Sequence, residues 1–167
     1  RSYPRIVGET GGKDYVFADP TAKALPVATA LIRGAFEYQG QKCSAASRAY
    51  IPSNIWPEVK ALMQADLNKI KTGGVEDFSN FVNAVIDEAS FDKLAKAIDD
   101  AQASPDAEVI LGGKYDKSKG YFIYPTVIQA KKPDYITMRE ELFGPLLPVF
   151  PYDDIEAVLS YINGHEK

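Results

Sequence analysis

Short runs rich in β-branched and aromatic residues alternate along this chain with longer stretches whose apolar side chains recur every three or four positions. That alternation confines the fold more than any other feature. Residues 14–18 (Asp-Tyr-Val-Phe-Ala) read as a strand. Asp19 as a cap and Pro20 at the first helical position predict a helix start. Ala24, Ala28, Leu31 and Ala35, with Leu25, Ile32 and Phe36, then form one apolar face, and Gly40 ends the helix. Residues 47–51 predict the next strand, closed by Pro52, and Ser53 predicts a cap for a helix through Trp56, Val59, Met63, Leu67 and Ile70 that stops at Gly73-Gly74. A third helix runs from about Asp87 through Phe91, Leu94, Ala95 and Ile98, and ends before Pro105. Residues 108–111 read as a short strand, 114–120 as a polar turn, 121–129 as a longer extended run and 133–140 as loop or short helix. Residues 146–150 read as a strand that Pro148 assigns to an edge or a bulge. Asp153-Asp154 opens a last helix through Ile155, Val158, Leu159 and Ile162. The expected fold is therefore α/β, an open, mostly parallel sheet flanked by helices, with ligands gathering at the carboxyl ends of the strands.

The 167 residues suffice for one domain with a core that needs no covalent staple. A formal net charge of −4, without any Lys/Arg block, argues against nucleic acid and anionic membrane as partners. No apolar run approaches the roughly 20 residues needed to cross a bilayer; the stretch 25–36 is interrupted by Arg33 and Gly34. One cysteine cannot form an internal disulfide, and with one histidine it cannot build a His/Cys metal cluster, so no metal is expected. The opening Arg1-Ser2-Tyr3-Pro4-Arg5 carries neither an initiator Met nor a secretory pattern, and the chain is expected to be a piece of a longer protein.

Three places could do chemistry. Cys43 lies in Gln39-Gly40-Gln41-Lys42-Cys43-Ser44-Ala45, between a helix and a strand, where Gly40 permits close backbone approach and Lys42 would favour the thiolate. A lone cysteine is equally a common small core residue. Glu9, in Gly8-Glu9-Thr10-Gly11-Gly12-Lys13, is a carboxylate flanked by glycines and a candidate general base, or simply a solvated loop residue. In Glu140-Glu141-Leu142-Phe143-Gly144-Pro145 a carboxylate sits beside an aromatic ring, as sugar hydroxyls and a flat cofactor would require; a helix end with a Gly-Pro stop reads the same way. His165 reads as a surface residue.

Together, in this order and with 34 positions between Glu9 and Cys43, the three stretches resemble the ordered signatures of the aldehyde dehydrogenase superfamily's catalytic domain, over essentially the whole chain. Residues 33–45 are most similar to the branch of that superfamily that oxidises glutamate γ-semialdehyde. The resemblance implies Cys43 as nucleophile, its backbone N–H as an oxyanion donor and Glu9 as the base that activates water. It implies Glu141 on the hydroxyls of the nicotinamide ribose, Phe143 near the nicotinamide, Ser44 on the substrate's α-carboxylate, and NAD as cofactor. It further implies a homo-oligomeric parent in the mitochondrial matrix. The cofactor-binding domain would precede residue 1 and an oligomerisation segment would follow residue 167; no Gly-x-Gly-x-x-Gly occurs, and the isolated piece is expected to turn over little substrate. Another aldehyde substrate, a non-catalytic descendant of the fold and a thiol redox sensor are the alternatives left open.

Overall fold

Among the described residues the alternation resolves into seven strands and five α-helices. The computed structural model describes residues 3–165, the side chain of His165 excepted; Arg1, Ser2 and the expectation for His165 lie outside that description. In chain order the strands are β1 (Tyr15–Phe17), β2 (Arg48–Pro52), β3 (Ala107–Leu111), β4 (Tyr115–Asp116), β5 (Phe122–Ile123), β6 (Thr126–Ala130) and β7 (Leu146–Tyr152). The helices are α1 (Ala24–Phe36), α2 (Trp56–Leu67), α3 (Glu88–Ala103), α4 (Ile136–Arg139) and α5 (Ile155–His165). Five strands form the main sheet in the order β1-β2-β7-β6-β3, parallel except for β3, which runs antiparallel to β6. This is the expected mostly parallel sheet flanked by helices.

Period-two alternation divides the core. Ala49, Ile51, Val127, Leu147 and Val149 face one side, where Ala28, Leu31 and Phe36 of α1 and Val59 and Met63 of α2 cover them. Ile128 and Leu146 face the other side under Phe91, Leu94 and Ile98 of α3. Tyr50 and Tyr152 share that alternate register and pack with Val158 and Ile162 of α5. Leu25, expected on the apolar face of α1, is 61% exposed. It lies on the first turn of α1, about 100° around the axis from Ala24, which is buried.

Several expectations need correction. Asp19 does not cap α1: its Oδ1 accepts from the Thr21 N–H at 2.8 Å and from the Thr21 hydroxyl at 2.6 Å, closing a turn, and the helix starts only at Ala24. Ser53 does not cap α2 either, because its N–H continues the ladder to the Tyr152 carbonyl at 2.8 Å and the helix starts at Trp56. The extended run 121–129 divides at Tyr124-Pro125. Its first part pairs with β4 in a separate two-stranded sheet, and its second part enters the main sheet as β6. Pro148 stands opposite Ile128 in the middle strand of the five, neither at an edge nor in a bulge. A parallel strand sends each residue's N–H to one neighbour only, so Pro148 deletes a single ladder bond while the other residues of seven-residue β7 hold the strand in place. By contrast, Asp87 caps α3 as expected, accepting from the Ser90 N–H at 2.8 Å, and Asp154 accepts from the Ala157 N–H at 3.1 Å at the start of α5.

Candidate active site

The three stretches that carry candidate chemistry each run directly into a strand: residues 9–13 into β1, 40–47 into β2 and 140–145 into β7. Because β1, β2 and β7 are adjacent and parallel, all three stretches meet at one end of the sheet. That end is the amino end, not the carboxyl end expected for this fold class. At the carboxyl ends the Ala18 N–H donates to the Tyr50 carbonyl at 3.0 Å, and the Tyr152 hydroxyl donates to the Ala18 carbonyl at 2.5 Å, which ties β1, β2 and β7 together there.

Gly12 is where they touch. Its N–H donates to Glu141 Oε1 at 2.8 Å, across 129 positions of sequence. Its Cα faces the backbone of Cys43 so closely that a Cβ there would lie 3.1 Å from the Cys43 carbonyl carbon and overlap the carbonyl oxygen. Glycine at this position is a condition of the contact. The Cys43 stretch in turn interlocks with the third one. Gly40 has φ 65°, and a Cβ on it would collide with the carbonyl oxygens of Gly144 and Ala35.

Cys43 and Ser44 occupy the middle of a turn closed by the Ala45 N–H on the Lys42 carbonyl at 3.1 Å. This turns both side chains to solvent and leaves the Cys43 N–H outside the turn's own bond, as an oxyanion donor requires. The approach to it is strained: Tyr38 and Gln39, neither of them glycine, have φ 54° and 59° ahead of Gly40, and Phe143 has φ 58°. Left-handed conformations at residues with a Cβ cost about 1–3 kcal/mol each and cluster where a fixed geometry has a use. Phe143, 38% exposed, presents its ring beside half-buried Glu141.

Glu9 is exposed, on a stretch outside the strands, three positions before Gly12. Extended chain covers at most about 11 Å over three residues, so chain continuity limits how far the Glu9 backbone stands from Gly12, while among the described residues no contact brings its carboxylate to Cys43. Lys42, expected to act on the sulfur, instead has its ammonium 3.6 Å from Glu37 Oε2, so its charge is shared with that carboxylate. Glu37 also pairs with Arg33, whose hydrogen bond is the main reason its carboxyl is held below the usual range.

Two participants were missed from sequence. Lys13, quoted only as the end of a motif, donates to the Ser47 carbonyl at 3.0 Å, the Ser47 hydroxyl at 2.9 Å and the Thr137 carbonyl at 2.8 Å. Burial pushes its ammonium down from the ordinary lysine value to about 7. The Arg48 guanidinium adds to that, and the Glu141 and Glu140 carboxylates oppose it. Gln41 accepts from the Ile86 N–H at 2.8 Å and ties the Cys43 stretch to the segment ahead of α3. A Lys between Gly-Gly and a strand was a visible signal; the partner of Gln41 was not.

The profile of the aldehyde dehydrogenase family matches residues 1–167. The chain belongs to the aldehyde dehydrogenase family. Among aldehyde dehydrogenases it is similar to the mitochondrial Δ1-pyrroline-5-carboxylate dehydrogenase of Dictyostelium discoideum, 52% identical over 154 residues, which are 92% of this chain and 28% of that protein. The mitochondrial Δ1-pyrroline-5-carboxylate dehydrogenase of Homo sapiens is 43% identical over 154 residues, 92% of this chain and 27% of that one. The crystal structure of the Mycobacterium tuberculosis Δ-pyrroline-5-carboxylate dehydrogenase bound with NAD superposes with a TM-score of 0.87 at 44% identity, covering 98% of this chain and 30% of that one. The chain thus spans under a third of the length of these aldehyde dehydrogenase relatives. Among the described residues no helix is long and apolar enough to cross a membrane.

Proposed function

We propose that this chain is the nucleophile-bearing part of an NAD-dependent aldehyde dehydrogenase that oxidises L-glutamate γ-semialdehyde to L-glutamate. The observation that carries the reading is the double contact of Gly12, on Glu141 by hydrogen bond and on Cys43 by backbone packing. The residues present fit the nicotinamide end of a dinucleotide. Glu141 is held through Oε1 by the Gly12 N–H and its carboxylate lies over Gly11, where a Cβ would overlap Oε2; each oxygen keeps a lone pair with which to accept a ribose hydroxyl, and the ring of Phe143 is accessible nearby. When bound, the dinucleotide supplies the hydride acceptor.

The chain's own residues do the rest. The Cys43 thiolate adds to the aldehyde carbon, and the Cys43 N–H donates to the oxyanion of the resulting thiohemiacetal. Loss of hydride leaves a thioester on Cys43. Glu9 takes a proton from the water that attacks this thioester, releasing the carboxylic acid and restoring the thiolate. Ser44, exposed beside the nucleophile, binds the substrate's α-carboxylate. The rest of the parent supplies the cofactor-binding domain and the oligomerisation segment of a homo-oligomer. Residence in the mitochondrion is supported by the names of the eukaryotic relatives, and the matrix is the compartment we assign. The test uses Cys43→Ala and Glu9→Gln in the parent enzyme. Cys43→Ala abolishes aldehyde-dependent NADH formation, whereas Glu9→Gln gives a burst of about one NADH per site and then stalls on the thioester. Continued turnover by Cys43→Ala refutes the reading.

A further inference from the structure

The floor under the Glu141 carboxylate is backbone. Gly12 donates its N–H to Oε1 at 2.8 Å, and the carboxylate lies across Gly11, where a Cβ would stand 3.0 Å from Cδ and 3.2 Å from Oε1 and would overlap Oε2. Those three atoms of Glu141 are the nearest that such a Cβ meets. Unlike Gly40, Gly11 does not have a left-handed φ, so its backbone conformation is open to any residue and the carboxylate is what excludes a side chain. The floor itself is fixed. The Lys13 ammonium, next in sequence, donates to the Ser47 carbonyl at 3.0 Å, the Ser47 hydroxyl at 2.9 Å and the Thr137 carbonyl at 2.8 Å, and Gly12 packs on the Cys43 carbonyl. Glu141, by contrast, reaches Gly11 with the far end of a flexible, half-buried side chain.

We propose that Gly11 is a positioning residue: by carrying no Cβ it leaves open the seat that holds the Glu141 carboxylate, and so sets the affinity of the cleft for the ribose of a dinucleotide. The inference rests on the reading of Glu141 as the acceptor of ribose hydroxyls. A methyl group at position 11 needs roughly 3.5 Å to its neighbours. The moored backbone yields less readily than the end of the Glu141 side chain, so the carboxylate is what moves. It swings off the floor, gives up the Gly12 N–H and no longer stands where the ribose hydroxyls meet it. Losing one hydrogen bond to a charged group costs about tenfold in affinity. Shortening the acid relieves the overlap, because Glu141→Asp draws the carboxylate back by one C–C bond, roughly 1.5 Å.

The experiment titrates NADH, by its own fluorescence and without aldehyde, into the parent enzyme and into its Gly11→Ala, Glu141→Asp and doubly substituted variants. Each single substitution raises Kd about tenfold. The pair also raises it about tenfold, not about a hundredfold, because the shortened acid no longer meets the added carbon. A distortion of the Gly-Gly turn in which Glu141 had no part would multiply the two factors instead. A wild-type Kd for Gly11→Ala, or a Kd for the pair equal to the product of the single effects, overturns the proposal. An unchanged Kd for Glu141→Asp removes the ribose reading and the proposal with it, whereas multiplied factors leave that reading standing. If Gly11→Ala does not fold, the pair decides: a folded double variant with the Kd of Glu141→Asp supports the seat, and an unfolded one overturns it.

Discussion

Gly12→Ala perturbs the cleft at a residue that touches both of its other stretches, Cys43 in one and Glu141 in the other. The added Cβ would sit 3.1 Å from the Cys43 carbonyl carbon and nearer still to the oxygen, whereas carbon atoms in contact settle at about 3.5–4.0 Å. The carbonyl and the Gly12 backbone must therefore part by roughly 0.5–1 Å. That displacement acts on the backbone that carries the nucleophile and on the N–H that orients Glu141. A misplacement of about 1 Å costs on the order of 100-fold in rate when reacting groups are otherwise preorganised. Overpacking of this kind costs about 1–3 kcal/mol of stability. Steady-state turnover of the proposed substrate, glutamate γ-semialdehyde, by the parent enzyme gives the readout, with Gly8→Ala as control because a Cβ there meets nothing within 4 Å. Gly12→Ala lowers kcat by about two orders of magnitude while Gly8→Ala stays near wild type. A Gly12→Ala enzyme that keeps more than about a third of wild-type kcat refutes the argument that this contact organises the site.

Other outcomes follow from the same coordinates. Burial lowers the Lys13 ammonium to about 7, so the folded chain gives up this proton above about pH 7 while the unfolded chain keeps it up to the ordinary lysine value; between those limits the unfolded state binds the extra proton and stability rises with pH. Urea unfolding at several pH values gives a wild-type stability that gains about 1.4 kcal/mol per pH unit relative to Lys13→Met across that window; parallel pH profiles for the two would contradict the burial argument. Asp87→Ala removes the cap on Ser90 and costs about 1 kcal/mol in the same assay, and an unmoved urea midpoint would count against the cap.

What could be read from the sequence follows the range of the interactions involved. The α3 helix was legible from its cap to its end, because Asp87, the spacing of Phe91, Leu94 and Ile98, and Pro105 are all local signals. The helix starts assigned to Asp19 and Ser53 failed because the same polar groups had nearby alternatives, a Thr21 turn in one case and a ladder bond to Tyr152 in the other. The position of Pro148 and the sheet end that bears the site depend on strand order, which joins residues more than 90 positions apart and leaves no local trace. Cys43, Glu141 and the Gly-Gly turn were singled out from their types and spacing. The role of Lys13 was not, because its partners Ser47 and Thr137 come together only when β1, β2 and β7 align.

The stretches that meet at Gly12 are anchored unequally. Residues 40–47 and 140–145 are continuous with β2 and β7, each gripped by a neighbour on both sides, while residues 9–13 hang from β1, three residues long at the margin of the sheet. The cleft is thus a vice with one jaw set in the sheet, bearing Cys43, and one lighter jaw, bearing Glu9. What keeps that lighter jaw in place is therefore the other two stretches and not the sheet: the Gly12 N–H on Glu141 and the Lys13 ammonium on Ser47 and Thr137 make up for the short strand it hangs from.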